Sequence, residues 1–278
     1  MAGRDALNAL NSRPDARLSR RSLIAMAAIL ATASSMANRR AHAVPKKPID
    51  PNGNGANCDH SQSWQCHCFL RDTRLATPEG ETSIEDLAIG DLVTTESGEA
   101  RAIRWIGRIT VDRQDDAPWH VNAMPVLVRK GAFGAGRPSR DLYLSHAHMV
   151  HLNGVLIPIG DLVNGRTIVA VDVPGEQIVY YHVELETHDV VIAEGAPCET
   201  LLTTAEKVTA FDNADEYFAL YGTPADMAPY APFAAFNGGR SEFKSRLRSA
   251  LAPVIDIRQP LDIVRDNLEA RSLLSNAA

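Results

Sequence analysis

The chain has 278 residues, a formal net charge of −6 and only 6% aromatic residues, long enough for one or two domains with a good core. The mild acidity argues against a general nucleic-acid binder and gives no electrostatic reason for an anionic membrane partner. No uncharged apolar run reaches the roughly 20 residues of a spanning helix, and four cysteines are too few for a disulfide scaffold at this length.

Residues 1–43 read as an address rather than as structure. Ser19-Arg20-Arg21-Ser22-Leu23-Ile24 sets paired arginines before an Ala-rich, moderately apolar run over 23–33. Arg39 and Arg40 follow, then Ala41-His42-Ala43, a small-x-small cleavage pattern. The segment resembles a twin-arginine export signal, which implies a protein exported to the periplasm or secreted. An amphipathic or disordered leader is the alternative. Residues 44–67 are dense in Pro, Gly, Asn and Ser and read as a disordered linker, because they bury too little apolar area to offset the entropy of ordering them. Trp64 is the linker's one large apolar group.

From residue 69 to 202 short β-rich runs alternate with turn signals. Residues 92–95 precede a turn at 96–99. Ala102, Arg104 and Ile106 then alternate with Ile103 and Trp105. Residues 125–129 are apolar and lead into a loop carrying Gly131, Gly134 and Gly136. Residues 149–152, Asn153-Gly154 and 155–157 predict a hairpin, since Asn-Gly accepts the positive φ angles of a two-residue turn. Residues 167–173, Pro174-Gly175 and 178–185 predict a second. In its last strand Tyr181, Val183 and Leu185 share one face, His182 and Glu184 the other. Residues 190–193 make a final short strand. Many strands and few helical periods argue for a compact all-β domain over residues 68–203.

Residues 204–278 read as a helical extension. Helices are expected over 205–220, 241–252 and 261–274, and the Pro-rich stretch 224–232 breaks the pattern. Leu261, Val264 and Leu268 sit at helical spacing, with Ile257 one turn earlier if the helix bends at Pro260.

The β-domain resembles the Hint fold, the self-processing module shared by Hedgehog C-terminal domains and inteins. "CFLRDTRLATPEG" is similar to the opening block, in which a cysteine starts the module. "IEDLAIGDLVTT" and "RAIRWIG" are similar to the next strand pairs, "RDLYLSHAHMVHL" to the block with a hydroxyl-x-x-His element, and "YYHVELETHDVVIAEGAPCETLL" to the late block. The resemblance implies a horseshoe-like domain of many short strands and an N-to-S acyl shift on the chain itself. The Cys68 thiol attacks the His67 carbonyl, replacing the amide with a thioester. Such a step needs a base for the thiol, donors for the oxyanion and an acid for the departing amine.

On that resemblance His148 is the candidate acid, Ser145 a holder of the scissile peptide, and His188 a second base or orienter. Cys198 is a transient acyl acceptor or helper of the first step, and Thr73 fits the opening block. The pattern has departures. Ser145 stands where Thr is commoner, and His146 where Pro is. The aspartate that Hedgehog modules use on a sterol has no counterpart near Arg104. The intein ending of His-Asn before a nucleophile is absent after Leu202, and Asn213 lacks a neighbouring His. The resemblance therefore implies cleavage without splicing or sterol transfer. Its substrate is the N-terminal flanking peptide, and its acceptor is water or an unknown small thiol or amine. No cofactor or metal is implied. A catalytically inactive exported binding or structural module on the same scaffold is the alternative.

The local sequence Cys66-His67-Cys68 leaves other readings open. A zinc site with Cys58 and His60 fits poorly, because Cys-x7-Cys-x-Cys departs from the Cys-x2-4-Cys pairs that zinc sites commonly use. A Cys58–Cys66 disulfide is compatible with a free Cys68. His146 and His151 read as structural.

Overall fold

The computed structural model describes residues 67–113, 119, 123–236 and 239–274. The leader, Cys58, His60, Trp64 and Cys66 lie outside the described residues. In chain order the strands are β1 (Phe69–Leu70), β2 (Arg74–Thr77), β3 (Gly80–Ser83), β4 (Leu92–Thr94), β5 (Ala100–Ala102), β6 (Trp105–Asp112), β7 (Val126–Val128), β8 (Leu142–Leu144), β9 (Met149–Leu152), β10 (Val155–Pro158), β11 (Ile168–Ala170), β12 (Gln177–Glu184), β13 (Val190–Ala193) and β14 (Ala196–Glu199). The helices are α1 (Ala205–Val208), α2 (Ala214–Tyr221), α3 (Gly239–Leu251) and α4 (Pro260–Leu274). The fold is all-β with a helical C-terminal extension.

Two six-stranded sheets and one ribbon hold these strands. The first sheet has the order β11-β7-β8-β1-β12-β6, the second β10-β9-β14-β13-β2-β3, and β4 pairs with β5. The chain passes between the sheets at once, because β1 lies in the first and β2 in the second. Asp72, at φ 68°, turns the chain there. Thr73 fastens the same turn. Its Oγ1 donates to the Leu70 carbonyl at 2.6 Å, and the Ile84 N–H donates to the Thr73 carbonyl at 2.9 Å.

The Asn-Gly hairpin forms as expected. Asn153 and Gly154 have φ of 55° and 78°, and Leu152 faces Val155 across the turn. The second expected hairpin does not form. β11 pairs with β7, while β12 pairs with β1 and, over eight residues, with β6. Pro174-Gly175 does turn the chain, but a turn does not choose the partner. The long β12 finds a strand of equal length in β6 and pairs with it along all eight residues. The alternation over 102–106 is real in burial, with Ile103 and Trp105 inside. It spans a corner, however, since β5 and β6 belong to different sheets.

The extension closes open sheet edges, where unpaired backbone groups would otherwise template aggregation. The expected helix over 205–220 is broken between α1 and α2, because residues 211–213 bind the β6 edge instead. Asp212 N–H donates to the Arg108 carbonyl at 2.8 Å, and Arg108 N–H donates to Asn213 Oδ1 at 2.9 Å. Phe211 lies over Gly107, where a Cβ would run into its ring. Further on, the Pro-rich stretch runs along β10. Leu156 donates to the Pro232 carbonyl and accepts from Ala234 N–H, both at 2.9 Å. In α4, Leu261, Val264 and Leu268 are buried, whereas Ile257 is 53% exposed in the preceding loop and not part of a bent helix. Pro260 is the first residue of α4, a position where its missing N–H is not needed.

Candidate active site

The site forms where the chain enters the first sheet. Phe69 is paired on one side with Leu144 of β8 and on the other with Tyr181 of β12. One step earlier along the same register, Cys68 stands level with Ser145 and His182. Short apolar strands on both sides bury this first residue fully. Ser145 grips it twice. Cys68 N–H donates to Ser145 Oγ at 2.7 Å, and Ser145 N–H donates to the Cys68 carbonyl at 2.9 Å. The nitrogen of the 67–68 peptide bond is thus fixed by a hydroxyl from the residue after β8.

A tight turn follows Ser145, with His148 N–H donating to the Ser145 carbonyl at 3.0 Å. It carries His148 inward, fully buried. The His148 ring packs on Phe69 at 4.3 Å between centroids and edge-on to His182 at 5.1 Å. Neither ring nitrogen of His148 or of His182 has a hydrogen-bond partner of regular geometry within the protein. Burial lowers the His148 pKa to about 3, the charge of His67 acting the same way, while Glu199 and the His67 backbone pull it up. His182 is pushed well below its ordinary range, by burial first and by the neighbouring His148 next. Both rings are neutral at pH 7.

Glu199 of β14 is the charged centre. Its carboxylate, 1% exposed, accepts from His67 Nδ1 at 2.6 Å and from Met149 N–H at 3.0 Å. His188 Nε2 stands 3.4 Å from its other oxygen. Tyr230 N–H donates to His188 Nδ1 at 2.9 Å, so a neutral His188 carries its ring hydrogen on Nε2, facing the carboxylate. Burial alone would push Glu199 up, but His67 and His188 outweigh it and hold the carboxyl well below the usual range. Lys207 of α1 is buried too. Burial lowers its pKa and the Glu199 charge partly restores it.

Burial, reinforced by Glu199, raises the Cys68 thiol well above its ordinary pKa. It rests as a thiol among Trp105, Tyr180, Val208, Phe211 and Tyr217.

The structure therefore brings Cys68, Ser145, His148 and His188 together, with His67 between them. Thr73 sits at the β1–β2 turn, where its bonds are structural. Cys198 follows the alternation of β14 away from Glu199 and packs in the other apolar cluster with Val150 and Val191. Its pKa is raised, by burial first and then by Glu199 and Glu96. His182, Glu199 and Lys207 are members that motif reading missed. A carboxylate inside the run Ala196-Pro197-Cys198-Glu199 was the available signal for one of them. Among the described residues no group of three His, Cys, Asp or Glu is arranged to hold a metal ion, and no helix is long and apolar enough to cross a membrane.

A family model described as Hint domain matches residues 67–205, half of the chain, and the chain belongs to that family of autoprocessing modules. Among solved structures it is similar to the MchDnaB-1 intein, with 18% identity over 48% of this chain and 99% of that one, at a TM-score of 0.34. It is similar to the gp41-1 intein at 13% identity, over 48% and 98% of the two chains, with a TM-score of 0.34. A bacterial intein-like domain from Clostridium thermocellum is similar at 13% identity, over 49% and 99%, with a TM-score of 0.35. No curated protein matches the sequence.

Proposed function

We propose that the domain cleaves its own chain between His67 and Cys68 through a thioester. The observation that carries this reading is the grip of Ser145 Oγ on the scissile N–H beside the bare, neutral His148 ring. Because the neutral His148 ring has one nitrogen without a hydrogen, it can accept a proton from within the site. It takes the proton of the Cys68 thiol as sulfur bonds to the His67 carbonyl carbon. It then returns that proton to the Cys68 nitrogen as the C–N bond breaks. The products are a His67–Cys68 thioester and a free amine, with no net gain or loss of protons. Ser145 holds the nitrogen throughout, and its bond strengthens as that nitrogen gains positive charge. Water or a small thiol or amine then resolves the thioester, releasing the flanking peptide in a single turnover.

Intact mass of the purified chain, with and without hydroxylamine or dithiothreitol, tests this. Two fragments meeting at 67/68, absent in Cys68→Ala, are expected; an unchanged mass under every condition refutes it. The second reading, an inactive module on the same scaffold, is favoured by the sealed, un-ionised thiol. It predicts that unchanged mass. We also propose that residues 1–43 direct export to the periplasm or beyond, that 44–67 serve as the flanking linker, that 68–203 form the processing domain and that 204–278 are its extension. Replacing Arg20 and Arg21 with Lys and following the chain in cell fractions tests the first part.

A further inference from the structure

Glu199 has three partners, and one of them belongs to the substrate. Met149 N–H and His188 are parts of the folded domain. His67 is the residue before the proposed cut, and its side chain is only 16% exposed. A carboxylate held ionised accepts hydrogen bonds and cannot donate them, so the hydrogen in the 2.6 Å contact lies on His67 Nδ1. The support behind Glu199 is fixed, because the Tyr230 amide sets which His188 nitrogen faces it. The carboxylate is therefore aimed, buried and short of one donor unless the preceding residue supplies it.

We propose that Glu199 is the specificity-determining residue for the position before the scissile bond, requiring there a side chain that donates a hydrogen bond at the reach of histidine. The inference rests on the cleavage proposed above. An aliphatic side chain at 67 leaves a buried anion under-satisfied, and an acidic one sets like charges together. A site built to bond a donor discriminates strongly against analogues that lack it. The same contact anchors the scissile carbonyl, since residue 67 is held from both ends, by Glu199 at its side chain and by Ser145 at the next nitrogen. The peptides this domain releases accordingly end in histidine or in a residue with an equivalent donor.

The test is a mutant cycle in the full chain, read as cleavage rate in hydroxylamine. His67→Ala is expected to slow the wild-type domain by roughly a hundredfold and His67→Glu by more. In a Glu199→Gln background the difference between His and Ala at 67 is expected to shrink below roughly tenfold. Independent, multiplying effects, or a His67→Ala chain as fast as wild type, overturn the proposal. A purely structural Glu199 would slow all 67 variants alike. Ring ¹⁵N NMR of the Cys68→Ala chain runs beside it. There the His67 Nδ1 signal is expected to shift in Glu199→Gln, and an unmoved signal overturns the clamp. If the wild-type chain does not cleave at all, the self-cleavage reading and the specificity role built on it both fall, and the NMR arm decides only the contact. If Glu199→Gln loses the fold, Glu199→Asp serves, one methylene short, with an intermediate loss of preference expected.

Discussion

Acid should unfold this domain earlier than its carboxylates alone would dictate, and His148 is the reason. The ring ordinarily takes a proton at pH 6.5, and burial lowers that to about 3 in the folded chain. Between those values the unfolded state binds a proton that the folded state refuses, so stability rises with pH across the window and is lost as pH falls through it. Each pH unit within the window is worth about 1.4 kcal/mol, so about 2 kcal/mol disappears between pH 6.5 and 5. No discount for solvent screening applies, because the ring is fully buried. His182 acts in the same direction. Glu199 does not interfere there, because its folded pKa is depressed and its contribution is lost only as pH falls below 4.5. Urea unfolding of the Cys68→Ala chain from pH 7.5 to 5 measures the effect. His148→Gln in that background should lose about 2 kcal/mol less over the interval from 6.5 to 5. Parallel curves for the two chains would sink the argument, whatever their offset at pH 7.5.

Tyr230→Pro deletes the amide that sets the His188 tautomer. The His188 ring ¹⁵N signals should exchange character, and cleavage should slow by about tenfold, the scale of one lost oriented hydrogen bond. Arg104→Ala strips the guanidinium 3.1 Å from the buried Glu184 carboxylate and should destabilise the chain by about 3 kcal/mol in urea. Tyr217, which donates to Glu184 at 3.2 Å, should become more exposed to near-ultraviolet probes. Gly107→Ala drives a methyl into the Phe211 ring and should cost about 1–3 kcal/mol while loosening residues 209–213, seen as faster amide exchange at Arg108 and Thr110. The Cys68 thiol, buried and held above its usual pKa, should resist iodoacetamide in the native chain and react on unfolding, as read by mass.

Much of the sheet architecture is legible because strand alternation and turn chemistry are local. Asn153-Gly154 and the runs around them determine a hairpin without reference to anything distant. The pairing of β11 with β7 is not local and left no mark within residues 167–185. β14 escaped because Pro197 demotes a strand reading, although it pairs on both sides, with β13 and β9. The same omission hid Glu199, and with it the electrostatic centre of the site. Cys68, Ser145 and His148 were readable from motif order. His182 was visible only as one residue on a strand face, and Lys207 as one charge in the helix expected over 205–220. Their importance comes from burial, which composition alone does not reveal. Residues 209–213 show the reverse case, where good helical spacing yields to the open hydrogen-bonding edge of β6.

The sealing of the thiol divides the proposed chemistry into two steps with different requirements. The acyl shift needs only groups already inside, namely Cys68, the His67 carbonyl, Ser145 and a neutral His148 that passes one proton from sulfur to nitrogen. It can run in the closed domain and, since the amine stays beside the thioester, it can run back. Resolution needs a molecule from outside. The apolar cluster around Cys68 joins strand residues such as Trp105, Ile178 and Tyr180 to Val208, Phe211 and Tyr217, which belong to the extension. Access to the thioester therefore depends on the stability of residues 204–221 against local opening. Substitutions that loosen this segment, Gly107→Ala among them, should accelerate net cleavage in hydroxylamine even as they destabilise the fold. A slower reaction in such variants would place the limiting step in the acyl shift instead.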